Sequence, residues 1–280
     1  MDRVNFKNSI KFFSLSLLVV TILLVTIWSF IIEPERIVIK KVDITLPGWN
    51  KEHKNLKVAV LSDFHIGFGA MNRNKLNTII NITNSQNPDL ILLLGDYVNV
   101  SVKNKRFLNY LLDFKKFRSK YGVFAVMGNH ESWQVRHKIR SLLKDAGVNT
   151  LENRAVNITI DDKSFWIAGI EDLTSGHPDL GYIMKQINDD NPVIFLSHNP
   201  NIFTQLPKNV NLAIAGHTHG GQLYIPFLVN LLNRSPFKKS FLKGYMVKNN
   251  QHFYISSGLG TTIIPARFLI SPEIVFLNLN

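Results

Sequence analysis

Apolar residues in this chain fall into three kinds of pattern. The first is one long run: residues 12–32 are uncharged and mostly apolar. A helix rises about 1.5 Å per residue, so this run is long enough to cross a hydrocarbon core of roughly 30 Å. The second is a series of short apolar blocks at 57–61, 90–94, 123–127, 193–196 and 212–215, each of which reads as a buried strand. The third is helical periodicity. It occurs at 75–87, where Leu76, Ile79 and Ile80 share a face, and at 134–146, stopped by Gly147. Residues 37–46 alternate as a first strand that Pro47-Gly48 breaks, and 155–160 with 164–169 reads as a hairpin across Asp161-Asp162. Late strands at 252–256 and 273–279 are expected to complete a second sheet. Strands punctuated by amphipathic helices predict a layered α/β domain over residues 37–280, preceded by a membrane anchor in residues 1–36.

The anchor reading has a rival, a cleaved signal peptide. The apolar stretch is longer than a usual signal core, and no small-x-small cleavage site precedes Glu33-Pro34-Glu35-Arg36, so an uncleaved single-pass helix is expected, with Trp28 near one interface. Arg3, Lys7 and Lys11 flank it on one side and Arg36, Lys40 and Lys41 on the other. The positive-inside count is therefore a tie, and the sequence does not choose a side of the membrane.

Composition narrows the chemistry. A chain of 280 residues, 45% of them apolar, can bury one large core. It has no cysteine, so disulfides and thiolate metal sites are excluded, and any metal must take imidazole, carboxylate, amide or water ligands. The formal charge of +12 suits phosphate esters or anionic head groups, or is simply a solvated basic surface. Nucleic acid is not the expected partner, since no arginine-rich helix, aromatic–basic alternation or zinc-finger spacing is present.

Five motifs then stand out, each directly after an apolar block: Asp63-Phe64-His65, Gly95-Asp96, Gly128-Asn129-His130-Glu131, Ser197-His198-Asn199 and Gly216-His217-Thr218-His219. In extended chain, residues two apart face the same side, so Asp63 and His65 can reach one ion. Asp96 is a carboxylate able to bridge two cations. Asn129 offers a neutral carbonyl oxygen, while its neighbour His130 can face a substrate. His217 and His219 can each deliver an imidazole, and His198 supplies another. Each motif alone is weak, because a histidine or aspartate after a strand is commonly a turn or cap residue. Five in one chain, all at strand ends, point to a metal centre. His53, His137, His177 and His252 lack that context and read as structural or exposed.

In this order the motifs resemble those of the calcineurin-like metallophosphoesterases, over about four-fifths of the chain from Leu56 onward. The anchor, Gly216-His217-Thr218-His219-Gly220-Gly221-Gln222, Gly258-Leu259-Gly260, Arg267 and Pro272-Glu273 resemble more narrowly the bacterial membrane-associated branch that includes the YkuE and YaeI proteins. That branch is also similar to enzymes that cleave UDP-2,3-diacylglucosamine in lipid A synthesis. The resemblance implies a four-layer α/β/β/α sandwich with its site along one edge. It implies one ion on Asp63, His65, Asp96 and His219, and a second on Asp96, Asn129, His198 and His217. His130 would assist the leaving group, making His130 and Asp96 the catalytic candidates. Mixed nitrogen and oxygen donors with four imidazoles favour Mn²⁺, Zn²⁺ or Fe over Mg²⁺ or Ca²⁺.

Such a pair of ions activates water for in-line attack on phosphorus, with no protein nucleophile required. Asn129 and Arg267 are the candidate substrate contacts, Arg267 as a phosphate clamp. The segment 224–248 mixes apolar and basic residues, including Phe227, Leu231, Arg234, Phe237, Lys238, Lys239, Phe241 and Lys243. It is expected to grip an acyl chain and phosphate or to sit in the bilayer interface, unless it is an ordinary surface loop. The expected reaction is hydrolysis of a phosphoester, phosphodiester or pyrophosphate in a lipid-linked or envelope substrate at the bacterial inner membrane. A broad phosphodiesterase without lipid preference, a non-catalytic metal-binding module and a nuclease are the alternatives. The module reading is disfavoured because no ligand is missing, and the nuclease reading because of the anchor.

Overall fold

A computed structural model describes residues 2–99, 107–224 and 242–280. Helix α1 (Asp2–Ile27) carries the long apolar run and continues through a π-helical turn, Trp28–Ile32, and a 3-10 turn, Glu33–Glu35. It starts before the expected residue 12 because helix propagation is cheap once a nucleus exists, whatever the polarity of the added turns.

Beyond it, the chain alternates β1 (Val38–Ile44), β2 (Leu56–Leu61), α2 (Arg73–Ser85), β3 (Leu90–Leu93), β4 (Val123–Ala125), α3 (Trp133–Asp145) and β5 (Asn149–Thr150). There follow β6 (Arg154–Ile160), β7 (Lys163–Gly169), α4 (Leu180–Gln186), β8 (Val193–Leu196), β9 (Val210–Ala215), β10 (Gly244–Lys248), β11 (Gln251–Ile255) and β12 (Glu273–Leu279). All of the expected strands and both expected helices are present, with ends shifted by at most two residues. Helix α4, the short strands β5 and β10, and a 3-10 segment at Leu108–Lys116 were not expected. Residues 225–241, which hold most of the apolar and basic segment singled out above, lie outside the described residues; Lys243 lies within them.

The strands form two six-stranded sheets, ordered β1-β12-β2-β3-β4-β5 and β10-β11-β9-β8-β7-β6. Strands β2, β3, β4 and β5 are mutually parallel, as are β7, β8, β9 and β11. Period-two alternation divides each strand between two cores. Val58, Val60, Leu90 and Leu92 face Ile167, Ile194, Leu212 and Ile214 in the space between the sheets. Ala59, Leu61, Ile91 and Leu93 pack outward on Leu76, Ile79 and Ile80 of α2 and Ile139, Leu142 and Leu143 of α3. Phe195, Ala213 and Phe253 pack outward on Ile183 of α4 and on Ile202 and Phe203. The result is the expected four-layer α/β/β/α sandwich, each fully buried aliphatic side chain contributing roughly 1.5–3 kcal/mol.

One expectation is corrected. Strand β12 does not complete the second sheet; it lies in the first, parallel to β1 and antiparallel to β2. The chain crosses between sheets through residues 256–272, where Leu259 N–H donates to Ser62 O (3.0 Å) and Glu273 N–H to Gly258 O (3.1 Å). A strand buried on both faces carries no sequence mark of its neighbour, so only the crossover decides this.

Gly169 marks a close approach of the two sheets. A β-carbon there would overlap Leu151 Cβ and lie 2.8 Å from both Leu151 O and Val126 Cγ1. Gly169→Ala should therefore cost about 1–3 kcal/mol through overpacking, read as a lowered denaturation midpoint for the full chain in detergent.

Candidate metal centre

Because β2, β3 and β4 run parallel in one sheet and β8 and β9 in the other, their carboxyl ends gather along one edge of the sandwich. Strand β2 delivers Asp63 and His65, β3 Asp96, β4 Asn129 and His130, β8 His198, and β9 His217 and His219. The turns interlock: Asp63 N–H donates to Gly95 O (3.0 Å), His65 N–H to Asp96 O (2.9 Å) and Gly216 N–H to His198 O (3.0 Å). Asp63, His65, Asp96, His217 and His219 all have left-handed backbone, with φ of 53°, 47°, 55°, 70° and 51°. Such strain outside glycine persists only where surrounding structure imposes it, and here it turns side chains back toward one point. Gly216 is required because a β-carbon would strike Ser62 Oγ and come within 2.5 Å of Asp63 Oδ2.

Two donor groups result, with Asp96 between them. In one, His65 Nε2 lies 3.1 Å from His219 Nε2 and 3.5 Å from Asp96 Oδ2, and His219 Nε2 lies 3.4 Å from Asp63 Oδ1. These four residues are buried, and their donor atoms lie within 4.8 Å of one another. In the other, His198 Nε2 is 3.3 Å from Asp96 Oδ2 and 3.1 Å from Asn129 Oδ1, while His217 Nδ1 is 2.9 Å from that amide oxygen. His198 donates its Nδ1–H to Leu94 O (2.7 Å), which leaves Nε2 facing the group. His130 stands at the rim, 24% exposed, its Nε2 4.0 Å from Asp96 Oδ2 and its backbone N–H donating to Asp96 Oδ1 (2.9 Å).

The electrostatics is that of a site built for added positive charge. Burial, with His65 adding repulsion, keeps His219 neutral well below the usual imidazole range; burial also depresses His65 to about 3 and His217 to about 4. Burial raises Asp63 to about 6. For His198 burial opposes the charge, but Asp96, Asp63 and Asp172 outweigh it and push the imidazole up to about 10. Asp96, though buried, is held well below the carboxylate range, first by His198. The neutral imidazoles of His65, His217 and His219, converging beside two carboxylates, form a donor set that fits divalent cations, and a cation bound there would displace the His198 proton.

Comparison with known proteins follows the same line. A sequence profile described as Calcineurin-like phosphoesterase matches residues 56–221. An uncharacterized metallophosphoesterase of Campylobacter jejuni is 32% identical over 279 residues, covering 96% of this chain and 70% of its own. The chain belongs to the calcineurin-like phosphoesterase family. The uncharacterized metallophosphoesterase YkuE of Bacillus subtilis is 30% identical over 229 residues, covering 80% of this chain and 79% of its own. A zebrafish (Danio rerio) transmembrane protein with metallophosphoesterase domain is 28% identical over 257 residues, covering 86% of this chain and 57% of its own.

Two residues of this metallophosphoesterase do work that sequence reasoning did not assign. Glu131, fully buried, accepts hydrogen bonds from the backbone N–H groups of Asp96 and Gly128 (2.8 Å each, Oε2) and of Tyr97 (2.8 Å, Oε1). Burial raises its carboxyl to about 7. Its place in Gly-Asn-His-Glu was visible; its task of clamping the β3 and β4 turns together was not. Asp172, after β7, accepts at Oδ1 from the backbone and hydroxyls of Thr174 and Ser175. Its Oδ2 is buried without a partner, and its charge acts on His198 and His217. A single aspartate after a strand carries no signal of that role.

Arg267 is a correction. It is completely buried, and its guanidinium donates to Gly260 O, Ser257 O and Ile270 O at 2.6–3.2 Å. Three carbonyls of the 257–270 loop take its donors, so it is a loop organiser and not a phosphate clamp. Of the two expected substrate contacts, only Asn129 reaches the centre.

Glu131→Gln exchanges an acceptor oxygen for an amide facing backbone N–H groups. It should weaken divalent-metal binding about 10–100-fold, measured by titration calorimetry with Mn²⁺ and Zn²⁺ on the full chain.

Proposed function

We propose that the phosphoesterase binds two divalent ions, one on Asp63, His65, Asp96 and His219 and one on Asp96, Asn129, His198 and His217, and hydrolyses a P–O bond of a lipid-linked or envelope substrate. The observation that carries this reading is Asp96 Oδ2, which lies 3.5 Å from His65 Nε2 on one side and 3.3 Å from His198 Nε2 on the other. Ions bound there, most suitably Mn²⁺, Zn²⁺ or Fe, would neutralise the phosphoryl oxygens and lower the pKa of the attacking water toward neutrality. Asp96 orients both donor groups, and Glu131 fixes the turn that carries it. His130, at the open rim, donates a proton to the leaving oxygen as the P–O bond breaks and the oxygen of water bonds to phosphorus.

The substrate class follows from the anchor. Helix α1 is long and apolar enough to cross a membrane, and almost none of its apolar window is buried against the protein. A curated relative is named as a transmembrane protein with a metallophosphoesterase domain. A single-pass anchor in the bacterial inner membrane holds the site near the bilayer, which suits a phosphate ester whose other half is lipid, UDP-2,3-diacylglucosamine among them. A broad phosphodiesterase activity is the second reading, favoured by the rim position and partial exposure of His130.

The test is hydrolysis by the full chain in detergent, metal-stripped and then reloaded with Mn²⁺ or Zn²⁺. Its substrates are p-nitrophenyl phosphate, bis-p-nitrophenyl phosphate and UDP-2,3-diacylglucosamine in mixed micelles. Metal-dependent turnover that Asp96→Ala abolishes is expected, with preference for the lipid substrate; equal or better turnover of the soluble esters favours the second reading. Full metal loading without turnover of any ester overturns both. His130→Ala should lower kcat roughly 10²–10⁴-fold while metal content is retained, and unchanged kcat removes His130 from the reaction.

A further inference from the structure

The loop at 262–269 is built to face something apolar. Ile263 is 89% exposed and Leu269 57%, and both hold left-handed backbone, with φ of 62° and 58°. A β-branched residue rarely adopts that conformation, so the fold imposes the display. The loop is also braced. Gln222 Nε2 donates to Thr262 O (3.0 Å) and Ile264 O (2.8 Å), Thr262 N–H donates to Gln222 Oε1 (2.8 Å), and Arg267 ties the loop's base.

Its position relative to α1 identifies the partner. Arg267 N–H donates to Ser29 O (2.8 Å). Leu269 N–H and Ser271 Oγ–H donate to the two carboxylate oxygens of Glu33 (3.1 and 2.7 Å). Glu33 is the first charged residue after the apolar run, and Ser29 lies four residues before it. At about 1.5 Å per residue, the loop meets the helix roughly 6 Å inside that charge boundary. Ile263, four residues from Arg267, lies within about 14 Å of the same point. A protein loop at that depth meets the zone between head groups and acyl chains, where apolar side chains are favoured. Beside it, a cavity of about 300 Å³ that Leu269 also lines holds Trp28 with the cations Arg36, Lys40 and Lys243 and the carboxylates Glu33 and Glu273, an aromatic and net-positive lining suited to the head-group layer.

We propose that the 262–269 loop is a second membrane contact: Ile263, Ile264 and Leu269 enter the head-group–acyl boundary beside α1 and seat the catalytic domain on the bilayer, with Arg36, Lys40 and Lys243 toward anionic head groups. This rests on the membrane-spanning reading of α1. The seat reaches the metal centre directly, because Gly260 N–H donates to Asp63 O (2.7 Å) and Gln222 follows His219 by three residues. It sets the height of the donor groups over the lipid surface.

The natural absence of cysteine permits single-cysteine variants of the full chain. Ile263→Cys, Leu18→Cys in α1 and Lys163→Cys at the opposite edge of the sandwich would each carry an environment-sensitive fluorophore. They would be reconstituted in phosphatidylethanolamine–phosphatidylglycerol nanodiscs containing spin-labelled lipid. Quenching by about half or more is expected at 263 and 18 and not at 163. Quenching at 18 without 263 overturns the seat and leaves the anchor standing; quenching at neither overturns both. The unsubstituted chain, photolabelled from a diazirine in the acyl chain, should carry label on the 262–269 peptide as well as on α1. Label confined to α1 also overturns the seat.

Discussion

The Asp96 carboxylate is where the two donor groups of the sandwich edge meet. It belongs to the first sheet, yet its Oδ2 is bounded by His65 from its own sheet and by His198 from the other. Glu131 holds its backbone, and His130 N–H holds its second oxygen. An acid this deeply placed is stable only when its charge is answered. His198 and the strained turns that aim it and its neighbours at the carboxylate are arranged around that requirement.

This explains the concentration of left-handed residues at the centre. Short turns after parallel strands send the chain away from the sheet edge toward the next helix or strand. Bringing five side chains back over the edge requires backbone that ordinary loops avoid, and the interlocked N–H···O bonds between turns offset its cost. Gly128 and Gly216 serve the same end by letting turns meet without a β-carbon between them, Gly128 against Asp96 within the first sheet and Gly216 against Ser62 and Asp63 across the two sheets. Glu131 and Asp172 show a related economy: buried carboxylates outside the two donor groups hold N–H groups and bias imidazoles from behind.

The crossover at 256–272 ties three functions into one segment. It carries the chain from the second sheet to β12 in the first, packs Gly258 and Gly260 against Asp63 and Phe64, and meets the end of α1 at Ser29 and Glu33. Arg267 makes this possible by saturating the carbonyls of a loop that has no sheet or helix to pair them. A substitution there is therefore felt at the donor groups and at the helix exit together.

The sequence by itself determined the elements and the chemistry. Strand blocks, the two amphipathic helices and the long apolar run are local patterns, and local periodicity survives folding because burial enforces it. The ligand-type residues were legible because five motifs each followed a strand, and parallel strands must end on one side. What only the tertiary structure decided was set by partners distant in the chain. Strand β12 joined the first sheet because a crossover and not its composition chose its neighbours. Arg267 became a buried organiser because the 257–270 carbonyls enclose it. Glu131 gained its role from the Asp96 and Tyr97 backbone, 35 and 34 residues away on the neighbouring turn, and Asp172 from the His198 and His217 imidazoles of later strands. A residue type limits what a side chain can do; which groups surround it is a long-range fact, and burial makes that fact decisive.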